Sequence, residues 1–457
     1  MGTQRLDNHL QQVVLNLKYE YEEGRLSAVD LLSSVIQKLP IPVLEGNSQL
    51  FFLPLVLQLT NDDSKKCKEA VTNCISLLLA RLSTDTVQSF FNYVTRWSQS
   101  SGDEAMPMRQ AAAQIFGIFV EARPDYIKRG TIAADMLSNI SSATQKYLPF
   151  SDDGGWELLY YNLVCIEKLN NELQSTIFSN TAIGASLIKF MAYPHPWVMQ
   201  VSLRIVNSHT SIIDPKHLPK QGADSYLVKN PGCLYDISRN LCRQLDVDDA
   251  HYVETLSVLV IKTVTWLFQA MSHHPRMFYS SGTDLVEDED NEQMKNPCKW
   301  IMSRLSNIAK PKLGSKRRES VFKCYAALCV TCKPDQLTPY LRLMIDSLDR
   351  AIREETNNLQ SDEHHATHPL IALPKDVLNL LEDACGTEKF LEAYAEVNKK
   401  VREKKDKRKQ DIAAEAVHDP ASAAKRKIKK QLHEKERKKR RVNDMKSMRG
   451  ASKKNRS

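Results

Sequence analysis

The sequence predicts an all-α chain, a helical-repeat array followed by a basic tail that is partly helical or disordered. Three observations predict it. Only 15 glycines stand in 457 residues. Apolar residues recur at i, i+3 and i+4, with few alternating strand patterns. One helix–turn–helix pattern also returns along the chain, the mark of a repeat architecture.

The first clear hairpin starts with Leu50-Phe51-Phe52-Leu53-Pro54-Leu55-Val56-Leu57-Gln58-Leu59. It turns at Thr60-Asn61-Asp62-Asp63 and returns through Lys68, Val71 and Ile75 to Leu82. Met108-Arg109-Gln110-Ala111-Ala112 opens a second copy of the returning helix, and weaker copies open at Trp156-Glu157, after Asp152-Asp153, and at Arg317-Arg318. Pro194 and Pro196 break the helix that ends near Tyr193 before the next begins at Trp197-Val198-Met199, because proline lacks the N–H an interior position donates.

With Lys68, Arg109, Glu157, Met199 and Arg318 taken as equivalent positions, the steps are 41, 48, 42 and 119 residues. A two-helix unit of roughly 40 to 47 residues is the period of HEAT and armadillo arrays, so a HEAT/armadillo-like solenoid is expected over residues 1–398. Insertions near 211–231, around Asp214-Pro215, and near 280–296, around the acidic run Asp284 to Asp290, account for the long last step. The hairpin from Leu234 to Met271 lies between them. Each hairpin in such an array packs only on its neighbours, which leaves the long faces for binding and implies no catalytic cleft.

Charge divides the chain more sharply than hydropathy. Residues 399–457 hold 24 Lys and Arg against 8 Asp and Glu, a net of +16, whereas residues 1–398 hold 39 against 47, a net of −8. No aromatic residue follows Tyr394, and a segment without apolar surface to bury cannot offset its conformational entropy. The domain boundary is therefore placed at Asn398, between an acidic array and a basic tail.

Ten scattered cysteines and an N-terminus without an apolar core region argue for reduced thiols in an intracellular chain. The longest apolar stretch, Leu256 to Met271, is interrupted by Lys262 and Gln269 and is too short to span a bilayer. Cys324, Cys329 and Cys332 lie on an apolar helix and read as core residues. His364, His365 and His368 lack the helical spacing of a zinc hydrolase and read as a solvated loop. There is no phosphate-cradling Gly-Lys-Ser/Thr loop. No enzyme, cofactor, metal site or small-molecule substrate is expected.

The tail carries the binding chemistry. Lys404, Lys405, Lys407, Arg408 and Lys409 form a first basic block, Lys425, Arg426, Lys427, Lys429 and Lys430 a second, and Arg437, Lys438, Lys439, Arg440 and Arg441 a third. Such density attracts polyanions by releasing their condensed counterions, and the third block also suits a nuclear import signal. Glu403 with Lys407, Glu434 with Lys438 and Glu436 with Arg440 stand at i, i+4, acid first, which stabilises a helix by a few tenths of a kcal/mol per pair. Basic helices jointed at Asp419-Pro420 are expected to order fully on RNA. Ile428 and Leu432 make too small an apolar face for a membrane surface.

Two stretches resemble one family. One runs from His368-Pro369-Leu370-Ile371-Ala372-Leu373-Pro374-Lys375 through Asp383-Ala384-Cys385-Gly386-Thr387-Glu388-Lys389-Phe390 to Val397; the other is Leu432-His433-Glu434-Lys435-Glu436-Arg437-Lys438-Lys439-Arg440-Arg441. They are similar to the C-terminal end of the giant HEAT-repeat component of the small-subunit processome, the down-regulated-in-metastasis family. Members are far longer, so the chain is expected to be a C-terminal portion. The resemblance implies a nucleolar, non-catalytic scaffold that associates with the small-subunit ribosomal RNA precursor, its guide snoRNA particle and other processome proteins. A HEAT-type nuclear transport receptor carrying basic cargo on the acidic body is the alternative, disfavoured by the tail, which would compete for that surface.

Overall fold

The computed structural model describes residues 3–148, 155–173, 177–230, 232–245, 250–278, 296–310, 315–358, 369–421, 424–433, 435–436 and 438–439. Among them every regular element is helical. The chain divides into two compact units, Met1–Leu380 and Leu381–Ser457.

Within the first unit the principal helices are α1 (Thr3–Leu15), α2 (Glu22–Lys38), α3 (Ser48–Asn61), α4 (Lys65–Arg81), α5 (Thr84–Ser98), α6 (Met106–Ala122), α7 (Ile132–Gln145) and α8 (Trp156–Leu173). They continue with α9 (Thr181–Phe190), α10 (Pro196–Ile212), α11 (Cys233–Leu245), α12 (Ala250–His273), α13 (Pro297–Ile308), α14 (Ser315–Thr331) and α15 (Leu341–Asn358). Side-chain caps fix several starts by accepting the free N–H groups of a first turn. Ser64 accepts from Cys67, Ser83 from Thr86, Asn180 from Ala182 and Ile183, and Asn296 from Lys299.

The even-numbered helices form a ladder, α2 on α4, α4 on α6 and so on through α14, while each odd helix from α3 to α13 packs on the even helix that follows it. From α7 to α15 the odd helices also stack on one another. Two stacked layers of helical hairpins make this an all-α, HEAT-like solenoid. Lys68, Arg109, Glu157, Met199 and Arg318 lie within the first four residues of α4, α6, α8, α10 and α14. The 119-residue step spans a complete further hairpin, α11 with α12, whose even helix carries no recognisable copy of the opening pair.

Helix α6 shows what an inner position demands. Its residues Ala111, Ala112, Ala113 and then Ile115 through Val120 are all buried, so it is apolar almost all round. At Gly117 an added Cβ would stand 3.3 Å from the Lys168 side chain of α8, a tight contact that shows how closely the two helices approach. Within the odd layer, Phe52 of α3 stacks on Phe90 of α5 with ring centroids 4.3 Å apart.

Polar contacts follow the same one-repeat offset. The last turn of a helix leaves carbonyls without intrahelical partners, and the next repeat supplies donors. Arg81 of α4 donates to the carbonyls of Ile36 and Leu39. Arg123, after α6, donates to those of Leu82 at 2.9 Å and Leu79 at 3.4 Å, held by two 3.1 Å bonds to Asp125. Trp266 of α12 donates to Ile213 at 2.8 Å. Ion pairs join the same neighbours: Lys168 to Glu121 at 2.8 Å, and Arg204 to Glu167 through two 2.7 Å bonds.

Between α10 and α11 the chain makes short helical turns, Pro215–His217, Leu218–Gln221 and Tyr226–Lys229, that bury Leu218, Tyr226 and Leu227. Ser225 there accepts or donates a 2.8 Å bond with Nε2 of the buried His209. The His209 ring also stacks on Phe178 at 4.0 Å between centroids. Most of the expected insertion near 280–296, with its acidic run, lies outside the described residues.

Two outcomes are expected. Arg123→Ala strands two buried carbonyls and is expected to lower the unfolding free energy by about 1–3 kcal/mol, read from the urea midpoint. Arg129→Ala, which removes an exposed ion pair to Asp125, is expected to change it by less than about 0.5 kcal/mol. Burial pushes His209 down to about 4 from 6.5. The unfolded chain therefore takes up this proton first as pH falls. The stability contribution is full above pH 6.5 and is lost as pH falls towards 4, by at most about 3 kcal/mol. His209→Gln is expected to flatten that part of the urea-midpoint profile.

Candidate nucleic-acid interface

The basic blocks sit on helices built for solvent. Helix α16 (Pro369–Cys385) ends at Gly386, whose φ of +87° is open to glycine at little cost, and α17 runs from Thr387 to His418. Its buried residues, Phe390 and Val397, are confined to its first third, and Phe390 stacks on Tyr394.

Beyond Val401 almost every α17 side chain is exposed. A helix with no apolar stripe is stabilised by its own backbone and local charge pairs rather than by packing. Lys404, Lys405, Lys407, Arg408 and Lys409 are all on this stretch and all exposed. At 100° per residue they fall within an arc of about 200°, with Glu403, Asp406 and Gln410 on the remaining side, so the helix presents one broad basic face. The expected Glu403–Lys407 pair is not formed; Lys409 instead meets Asp406 at 3.3 Å. Asp406 lies one turn back and offers the shorter side chain for that contact.

Helix α17 stops before Pro420. Asp419 takes φ −140° and ψ 79°, and its N–H still donates to the Glu415 carbonyl at 2.8 Å. An extended residue before proline is the steric rule. Residues 424–433 are again helical, with Lys425, Arg426, Lys427, Lys429 and Lys430 exposed, and Arg426 pairs with Glu415 across the joint. Ile428 and Leu432 are exposed as well. Lys438 and Lys439 are exposed and helical, while Arg437, Arg440 and Arg441 lie outside the described residues.

The remaining candidates show no converging chemistry. Cys324 and Cys329 are buried in α14, and burial pushes the Cys324 thiol up to about 12. A thiol so far from ionising is inert packing. Cys332 is half-buried just past the helix, with its thiol also pushed up by burial. His364, His365 and His368 lie outside the described residues. Among the described residues no three His, Cys, Asp or Glu are grouped as metal ligands, and no helix is long and apolar enough to cross a membrane.

The fold also gathers cations that the sequence keeps apart. Arg239 and Arg243 of α11 and Arg304 of α13 line one groove of about 430 Å³, together with Tyr235, Trp300 and Asn307. Sequence reasoning missed this group. Its one local signal is the i, i+4 spacing of Arg239 and Arg243; Arg304 joins them only because α11 packs on α13.

Comparisons with known proteins bear on this arrangement. The model of the family described as "Small subunit processome component 20 homolog, C-terminal" matches residues 204–444. The U3 small nucleolar RNA-associated protein 20 of Saccharomyces cerevisiae is 22% identical over 453 residues, which cover 95% of this chain and 17% of that protein. Its namesake from Schizosaccharomyces pombe is 23% identical over 433 residues, covering 93% and 16%. The chain thus spans about a sixth of the length of the relatives it matches. Among solved structures, Kap121p overlays with a TM-score of 0.39 at 13% identity, over 86% of this chain and 35% of that one. Kap121p bound to Nup53p gives 0.41 at 13%, over 92% and 41%. Likeness at that level carries no functional inference. The family match covers more than half of the 457 residues and takes in α16, α17 and the second basic block, so the chain belongs to the family of C-terminal regions of small subunit processome component 20 homologues.

Proposed function

We propose that this chain acts in ribosome biogenesis as part of a non-catalytic scaffold, a nucleolar component of the small-subunit processome needed for processing the small-subunit ribosomal RNA precursor. The helical array docks other processome proteins along its faces. The basic tail, from Lys399 onward, anchors on RNA of the precursor and of the guide snoRNA particle through phosphate contacts. The functional boundary then falls at Asn398, where α17 passes from acidic array to basic tail.

One observation carries the reading. A chain of this family extends a helix for some twenty residues beyond Asn398, with the cations of its first half exposed over one broad face. Those cations stand at 399–409, which at 1.5 Å per residue is about 16 Å of positively charged rod. The name of the relatives, U3 small nucleolar RNA-associated protein 20, supports RNA over another polyanion. Contacts of this kind go mainly to phosphates and carry little sequence preference.

In the full chain, replacement of Lys404, Lys405, Lys407, Arg408 and Lys409 by Gln is expected to weaken binding to a single-stranded RNA probe. It is also expected to reduce the slope of log affinity against log salt by up to about 3.5, at about 0.7 for each phosphate no longer neutralised. Affinity and slope unchanged in the substituted chain would remove the first basic block, and with it the exposed part of α17, from the RNA interface. Recovery of ribosomal RNA precursors with the chain from cell extract, abolished by RNase, tests the assembly itself.

A further inference from the structure

The array, although net negative, carries a connected line of positive grooves along its odd-numbered helices. The groove between α11 and α13 is lined by Arg239, Arg243 and Arg304 and by no carboxylate. A second, of about 640 Å³, lies between α9 and α11 and shares Arg239 and Arg243 with the first. It adds Lys189 and one carboxylate, Asp236. Leu148 borders this second groove, while its neighbours Lys146 and Tyr147 border a third of about 580 Å³, which also holds Arg109 and no carboxylate.

Six cations therefore face one carboxylate across three adjoining grooves. Lys189, Arg239, Arg243 and Arg304 are exposed; among the described residues none is in a close salt bridge, and only Asp236 lies near enough to attract Arg239 and Lys189. Arg304 is set over Trp300 with its guanidinium carbon 5.5 Å from the ring centroid, a cation–π contact that holds the side chain while leaving its N–H groups free. In a body with more acids than bases, cations left out of close salt bridges on one line are a concentration that packing does not require.

The form of the line selects its ligand. An acidic peptide laid in a solenoid groove needs amide donors and acceptors for its own backbone. In the second groove the one amide, Asn240, already serves the chain, donating to the Ile188 carbonyl at 2.8 Å. The charged groups that line the grooves are, Asp236 apart, guanidinium and ammonium, which suit phosphate oxygens. Adjacent helices stand roughly 8–10 Å apart, so a groove between them admits a single strand rather than a duplex.

We propose that this line of grooves is a second RNA-binding track, in which Arg109, Lys146, Lys189, Arg239, Arg243 and Arg304 hold the phosphodiester backbone of single-stranded RNA. The choice of RNA rests on the function proposed above; the track itself is independent of the tail. It makes the array an RNA-binding surface as well as a protein-docking one.

The test uses the full chain and a labelled 20-nucleotide oligouridylate. In one variant the ten Lys and Arg of 404–409 and 425–430 become Gln. In a second, Lys189, Arg239, Arg243 and Arg304 become Glu; a third combines both, and melting curves verify folding. The tail variant is expected to keep salt-dependent binding. Adding the groove substitutions is expected to lower affinity at least a further tenfold and to reduce the salt slope by about 3. Ultraviolet crosslinks of the unsubstituted chain are expected on α11 and α13. Equal affinity and slope with and without the groove substitutions overturn the track and leave the tail reading standing, whereas no RNA binding by the unsubstituted chain overturns both. A polyglutamate probe released by the groove substitutions, with RNA binding unaffected, overturns RNA in favour of an acidic protein.

Discussion

Each hairpin of this array is incomplete without the next. An even helix such as α6 is apolar nearly all round, so α4 and α8 must both cover it, and the carbonyls at the end of one even helix find their donors one repeat later. Arg81 reaches Ile36 and Leu39, Arg123 reaches Leu79 and Leu82, and Trp266 reaches Ile213. Burying a Leu or Phe side chain contributes about 1.5–3 kcal/mol, and an unpaired buried carbonyl costs a similar amount. Both effects act between neighbours. The stack therefore propagates from one repeat to the next, and no central cleft is needed to hold it.

This division of labour frees the surface. Because the inner layer and the repeat-to-repeat contacts satisfy most of the buried polar groups, side chains on the odd helices are left to meet partners. Among the described residues Arg239, Arg243 and Arg304 are in no close salt bridge on that layer, whereas Arg81 and Arg123, of the same residue type, are turned inward as caps. Position relative to a helix end, and not residue type, separates a structural arginine from one available to a ligand. The second unit shows the opposite limit: past Val401, α17 buries almost nothing and its cations have only solvent and a few acids as company.

Much of this was legible in the sequence because a repeat writes itself more than once. A short polar or proline turn followed by an opening pair, apolar–basic at α4 and α6 and weaker at the others, marked α4, α6, α8, α10 and α14, since the same packing problem recurs at each. The α11–α12 hairpin escaped the register because α12 lacks that opening pair, although its apolar period is plain. The joint at Asp419 was readable from proline sterics alone. The Glu403–Lys407 pair was expected from spacing, yet Lys409 and Asp406 made the contact instead, since exposed pairs differ by only tenths of a kcal/mol.

By itself, then, the sequence determined what depends on local pattern: an all-helical chain, the repeat, a thiol-bearing core, and a tail too polar to fold into it. Tertiary structure decided what depends on which helices become neighbours. Arg239 and Arg304 are 65 residues apart in the chain and meet in one groove only because α11 stacks on α13. A net charge of −8 over residues 1–398 sums over all positions and so hides where the positive ones lie. Electrostatic potential depends on distance in space, and those distances are set by packing.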